Sequence, residues 1–451
     1  MSISPIKLRM IRKLLPSSSP DRAVHYLSHF HPADVAEIFA DLRPGEISRL
    51  VEVLMASRRA GETLRELPEG ILRNVLQGIS NDRLAVMIGR QTPEDALTFF
   101  TLLSDEQRQA VEALLPREQS EAITALHRYP EGSAGKVMST GVLAVSQEAS
   151  CEDAVSEIRR LGRDLDAAFY LYVVDREGRL TGVVPMRELI LSPGETPLRD
   201  LMRRDPISAR AFDDQERVAD LVAKYNLLAL PIIDDQGRLL GAVTVDDVID
   251  VIHEEATEDF YHMAGLDEAD RVFSPVLQSV RRRLIWTAVN IATAIAAAMV
   301  VGLFEGAIDR LVALAVFMPV VAGLGGNSGT QSLTVMIRGI ALRELEFSSA
   351  GRAVLKQAAV GLLVGLAAGS VTAGVVWLWK GNPWLGLVLF GAMLANMTLG
   401  ALAGASIPLL LRALCLDPAL GSGIIVTAVT DSFGFFCFLG LAALAMSHLA
   451  P

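Results

Sequence analysis

No apolar run long enough to cross a bilayer occurs before Leu284 in this chain of 451 residues. Cysteine is scarce: Cys151, Cys415 and Cys437 have neither the spacing of a disulfide framework nor that of a zinc site. The seven histidines show no paired metal-ligand spacing, and no nucleophile–base arrangement stands out, so an enzyme is not expected. Basic charge is in deficit. A net charge of −11 argues against a nucleic-acid partner, which would want a basic face. The opening MSISPIKLRMIRKLL is basic but lacks a long apolar core, so residues 1–20 read as a cytosolic tail rather than a signal peptide.

What fills the first half is helix, then a repeat. Over 21–130, apolar residues recur at three- and four-residue steps, as in Val35, Ile38, Phe39 and Leu42. Breaks at Arg43-Pro44-Gly45, Leu67-Pro68, Thr92-Pro93 and Leu115-Pro116 predict stacked helical hairpins, an all-α superhelical N-terminal domain. His31 before Pro32 reads as a helix start rather than a ligand. VVDREGRLTGVV, from Val173 to Val184, then recurs as IIDDQGRLLGAV, from Ile232 to Val243. Each is a strand, a Gly-containing turn and a strand. The two α+β units, 137–200 and 201–252, resemble a CBS-domain pair. In that family the cleft between units often holds an adenine nucleotide, and the resemblance implies ribose contacts from Thr244 and Asp247. The first repeat departs from this pattern at Val184-Pro185-Met186. Thr244 also reads as a helix N-cap with acids in the first turn.

An acidic connecting helix is expected over 253–280, its acidic run beginning further back. From Asp246 to Asp259 there are seven acids and no Lys or Arg. On a helix, Asp247, Asp250, Glu254 and Glu258 share one face, with Glu255 and Asp259 beside them. Like charges at this spacing cost about 0.2–0.5 kcal/mol per pair, so the run wants water or cations. A solvated face fits; so does a cation-sensing latch, since hard divalent ions take carboxylate oxygens.

Residues 284–451 form the membrane domain, with five spans near 284–304, 311–337, 353–378, 384–411 and 419–446. Arg281 to Arg283, Arg338, Arg343, Arg352, Lys356 and Arg412 flank one side of the spans, and only Arg310 and Lys380 the other. The N-terminus is therefore expected in the cytosol and the C-terminus outside a cell membrane. In the second span Pro319 is followed by Gly323, Gly325, Gly326 and Gly329, then by polar Asn327, Ser328, Thr330 and Gln331. This predicts a broken helix, either as a tight packing seam or as a water-lined ion path. Asp431 is the last acid in the chain and lies in the middle of the fifth span with no Lys or Arg at its depth. It is either a hydrogen-bonded structural acid or an ion ligand.

The stretch PVVAGLGGNSGTQ, the triplet Asp417-Pro418-Ala419 and Asp431, together with the order of the parts, resemble the MgtE-type magnesium channels along nearly the whole chain. The resemblance implies a homodimer in the lipid bilayer, selective for Mg²⁺ and gated by intracellular Mg²⁺ on acidic cytosolic domains. It makes Asp431 the principal pore ligand and Asp417 an acid at the cytosolic entrance. Pro319, Gly325, Gly326, Asn327 and Gln331 then belong to the pore, and Asp247, Asp250, Glu255, Glu258, Asp259 and Glu216 to the cytosolic metal sites. ATP or another adenine nucleotide is the expected ligand of the CBS pair. The rival readings are a transporter of Co²⁺ or Mn²⁺ and a non-conducting, membrane-anchored nucleotide sensor.

Overall fold

The computed structural model describes residues 5–15, 20–57, 59–161, 169–267, 269–270, 272, 274–342, 344–345 and 347–449. Residues 1–4 and 16–19 of the tail, and Arg343 of the basic loop, lie outside them. The chain divides into two compact units, Met1–His253 and Glu254–Pro451.

In the first unit, nine short helices from Pro20–Leu27 to Arg117–His127 follow one another, with a 3₁₀ turn at Ile38–Asp41. Proline opens several of them, where a missing N–H costs nothing. His31 is an N-cap whose ring nitrogen accepts from the Ala33 amide at 3.3 Å. The helices bury Ile38, Phe39, Leu50, Leu64, Leu84 and Phe99 in a core continuous with that of the second α+β unit.

The repeats form two sheets. One has β1 (Ala144–Ser146), β2 (Tyr170–Val174), β3 (Leu180–Pro185) and β4 (Arg203–Arg204) in that order; the other has β5 (Ala209–Arg210), β6 (Ala229–Ile233) and β7 (Leu239–Thr244). Both hairpin turns place glycine at positive φ, Gly178 at 80° and Gly237 at 77°. The turns bond to each other: Leu180 N–H donates to the Gly237 carbonyl and Leu239 N–H to that of Gly178. The repeat in sequence is thus a near-twofold relation in space.

The connector is a helix, Val245–Met263, that starts on the residue after β7. Residues 253–280 therefore hold the second half of this helix, a stretch after Met263 whose described residues are non-helical, and the first turn of the next helix. The membrane unit has five helices long and apolar enough to span: Val276–Gly302, Ala313–Ala341, Ser349–Lys380, Pro383–Ala413 and Ser422–Leu444. A short helix, Glu305–Arg310, joins the first two. The third and fourth spans pack through Gly361, Gly365 and Gly369, where an added side chain would meet Met397, Leu394 and Phe390. Small residues every fourth position are how helices approach closely without a hydrophobic drive between them.

Candidate functional site

The second span has two faces. Phe317, Val321, Gly325, Ser328, Gly329 and Ser332 are buried; Pro319, Gly323, Asn327, Thr330, Gln331 and Thr334 form an exposed stripe. The break expected after Pro319 is absent: the helix is continuous from Ala313 to Ala341 with the proline inside it. The reason lies in the glycines. Gly325 and Gly329 pack against Gly400 and Gly404 of the fourth span, backbone on backbone, and Val426 of the fifth fills the space beside Gly329. This packing holds the helix although one backbone bond is lost. Gly325 therefore belongs to a seam and not to the polar stripe. Gly326 is half-buried, and a side chain there would meet only Thr430 Oγ1, at 3.8 Å. Ser328 donates to the Met397 carbonyl at 2.9 Å.

Asp431 sits half-buried on the fifth span with no hydrogen-bond or ion-pair partner among the described residues. Thr430 beside it is fully buried and turns its hydroxyl back onto the Val426 and Thr427 carbonyls at 3.1 and 3.0 Å. A residue absent from the sequence-based list lies between these helices: Asn396 of the fourth span, fully buried, donates from Nδ2 to the Val321 carbonyl at 2.9 Å. Its signal was available. It is the single carboxamide of its span, and polar groups at that depth are costly.

At the N-terminal end of the fifth span, its foot receives the end of the connector helix. Asp417 accepts from the Ala419 amide at 2.8 Å, and its Oδ2 lies 2.6 Å from His262 Nδ1. Glu258, one turn earlier, approaches the same ring nitrogen at 3.7 Å. Gly421 N–H donates to the His262 carbonyl at 3.0 Å. Any side chain on Gly423 would press on the Met263 carbonyl. His262 also escaped the sequence reading, because only the fold brings it to Asp417. Glu255, Glu258 and Asp259 are half-buried and Asp250 exposed. Among the described residues, no three His, Cys, Asp or Glu side chains converge closely enough to hold a metal ion.

Past the connector, Asp270 is buried and takes Ser279 Oγ at 2.5 Å and Arg283 Nε at 2.6 Å. These bonds hold its carboxyl below the usual carboxylate range. They tie the residues after the connector to the start of the first span.

Thr244 and Asp247 meet at the start of the connector, with Thr244 N–H and Oγ1 donating to Asp247 Oδ2 at 3.0 and 2.7 Å. Burial raises the Asp247 carboxyl above its ordinary range. The pair is a helix cap in this structure, and the Thr244 hydroxyl is half-buried at the sheet edge. Glu216 lies exposed in the first turn of the helix Gln215–Tyr225, behind its cap Asp214. Asn226 ends that helix at φ 49°, a left-handed position that Asn tolerates.

Comparison with known proteins gives three family matches: MgtE, a divalent cation transporter, over 318–441; the MgtE intracellular N domain over 30–132; and the CBS domain over 134–193 and 198–254. The magnesium transporter MgtE of Thermus thermophilus is 35% identical over 435 residues, covering 93% of this chain and 94% of that protein. The magnesium transporter MgtE of Bacillus subtilis is 30% identical over 416 residues, covering 92% of each. Among solved structures, the cytosolic domain of the Mg²⁺ channel MgtE in complex with ATP matches with a TM-score of 0.51 at 30% identity, over 54% of this chain and 99% of that one. The soluble part of a magnesium transporter matches with a TM-score of 0.52 at 25% identity, over 56% and 98%.

Proposed function

The chain belongs to the MgtE family of divalent cation transporters, and from that premise we propose that it is a homodimeric, Mg²⁺-selective channel closed by intracellular Mg²⁺. The observation that carries this is Asp431, a carboxylate at mid-span without a partner among the described residues. An ionisable group at that depth costs about 2.5–3.5 kcal/mol on insertion scales, which a purely anchoring helix has no reason to bear. A twofold axis beside the fifth span would bring two such carboxylates together, matching the charge of one divalent ion. Mg²⁺ sheds water reluctantly, so it would pass largely hydrated, held through its waters by Asp431 and by the stripe of Asn327 and Gln331. The stretch Pro319–Gln331 has no Cys, His or Met, which disfavours softer ions such as Co²⁺.

Gating is assigned to the connector. Its carboxylates, with Asp417, are hard oxygen donors of the kind Mg²⁺ takes, and its far end lies on the foot of the fifth span. The N-terminus is placed in the cytosol and the C-terminus outside, by the bias of basic residues. An adenine nucleotide at the CBS pair, held through Thr244 and Asp247, is supported by the ATP complex of the related cytosolic domain.

The test is ion flux into liposomes across a divalent series. Wild-type protein is expected to pass Mg²⁺, and Asp431→Ala to abolish flux while remaining folded and dimeric. Wild-type flux through a folded Asp431→Ala protein would overturn the proposal.

A further inference from the structure

Among the described residues of the spans, Asn396 is the side chain with a buried polar atom that has no hydrogen-bond partner. It is fully buried, and its amide nitrogen donates to the Val321 carbonyl of the second span at 2.9 Å. A carbonyl can only accept, so the orientation of the amide is fixed by this bond. Its other end, Oδ1, is buried without a hydrogen-bond partner among the described residues. Two glycines make room for it. A side chain at Gly325 of the second span, or at Gly434 of the fifth, would collide with the Asn396 amide. One side chain of the fourth span thus fills a slot whose walls are the two helices carrying Asn327 and Asp431. Asn327 lies two residues beyond Gly325, and Asp431 three residues before Gly434.

Stability alone does not account for this arrangement. Leucine is close in size, carries no insertion cost and leaves no oxygen unpaired. What asparagine adds is a directional bond that fixes the second span in rotation and depth against the fourth, with the fifth packed on the same amide.

We propose that Asn396 is a positioning residue for ion selection: it sets the separation of the second and fifth spans, and so the gap between the Asn327 stripe and Asp431. This rests on the reading of Asp431 as the pore acid. A hydrated Mg²⁺ requires a gap of fixed size, since its inner shell is close to an ideal octahedron. Ca²⁺ accepts variable geometry and larger ligand numbers. Loosening the gap should therefore admit Ca²⁺ before it stops Mg²⁺.

The experiment measures Mg²⁺ and Ca²⁺ flux with the full chain in liposomes, alongside melting temperature in detergent. Asn396→Leu is expected to fold and to lower the Mg²⁺-over-Ca²⁺ flux ratio about three- to tenfold, the range of one intramembrane hydrogen bond. Gly434→Ala, which displaces the amide without touching it chemically, should lower the ratio in the same direction. Asn396→Ala combined with Gly434→Ala should be no worse than Asn396→Ala alone, because the added methyl acts only through the amide. A role in stability alone would move the melting temperature and leave the ratio unchanged. An unchanged ratio in Asn396→Leu, or in Gly434→Ala should the first variant fail to fold, overturns the proposal. Asp431→Ala, measured in parallel, separates the two levels. Its wild-type flux would overturn the pore reading, whereas loss of flux there with an unchanged ratio in the Asn396 variants would overturn only the positioning role.

Discussion

At the scale of single residues, the bonds that matter are few and directional. Asp270 is held below the usual carboxylate range by the Ser279 hydroxyl and the Arg283 guanidinium. A depressed carboxyl stabilises the fold above its unfolded value, about 3.9, and that contribution is lost as pH falls through the folded value. Amide exchange over residues 276–283 should therefore stay protected from pH 7 down to about pH 5 and rise below about pH 4. In Asp270→Asn the protection should be weak at every pH, as read by mass spectrometry. His262 offers a second test. Its ring bond to Asp417 is one to a charged group, worth about 1.5 kcal/mol or more. In His262→Ala, about tenfold more Mg²⁺ should be needed to protect the connector from protease. Thr244→Ala removes a cap as well as a candidate ribose contact. It should weaken adenine nucleotide binding in calorimetry and lower connector stability by about 0.5–2 kcal/mol. The sequence singled out Asp431 as a lone acid in an apolar run, and it stands half-buried without a hydrogen-bond or ion-pair partner among the described residues. Asn396 gave the same kind of signal more faintly. His262 gave none, since its partner is 155 residues away.

At the scale of elements, periodicity carried most of the reading. The helical hairpins, the twin strand–turn–strand repeats and all five spans could be read from apolar spacing and from glycine in turns. Span ends could not. The first span extends back to Val276 because Arg281 to Arg283 continue the helix, with the Arg282 and Arg283 heads bonded to the Ala269 carbonyl and to Asp270. The continuous second span was also hidden, since Pro319 and four glycines describe a broken helix until the partner helix is known. The seam they form invites a test. A side chain on Gly404 would drive into the Gly329 carbonyl. Gly404→Val should cost about 1–3 kcal/mol by overpacking, seen as a lower melting temperature in detergent and a smaller dimer peak. Pro319→Ala, on the exposed stripe, should leave the melting temperature nearly unchanged.

At the scale of the whole molecule, the order of parts was the most informative thing in the sequence, and the proposed ion sites the least. A dimeric site cannot be read from one chain's spacing, because its ligands need no sequence relation to each other. The gating proposal is testable without that knowledge. Millimolar Mg²⁺ should protect the connector from proteolysis and lower conductance. Replacing Glu255, Glu258 and Asp259 together by Gln, Gln and Asn should leave conductance high at Mg²⁺ concentrations that close the wild type; a variant that still closes there removes these residues as the sensor. The connector also has a mechanical consequence. It begins at Val245, directly after the last residue of β7, with no intervening hinge, and runs 19 residues to Met263. At 1.5 Å per residue it is a stiff arm about 28 Å long. A tilt of about 5° at the sheet would sweep its tip through about 2.5 Å, close to the width of a water molecule. A displacement of that size would be felt at once by the fifth span, because at Gly423 its bare backbone leaves no room for a side chain against the Met263 carbonyl.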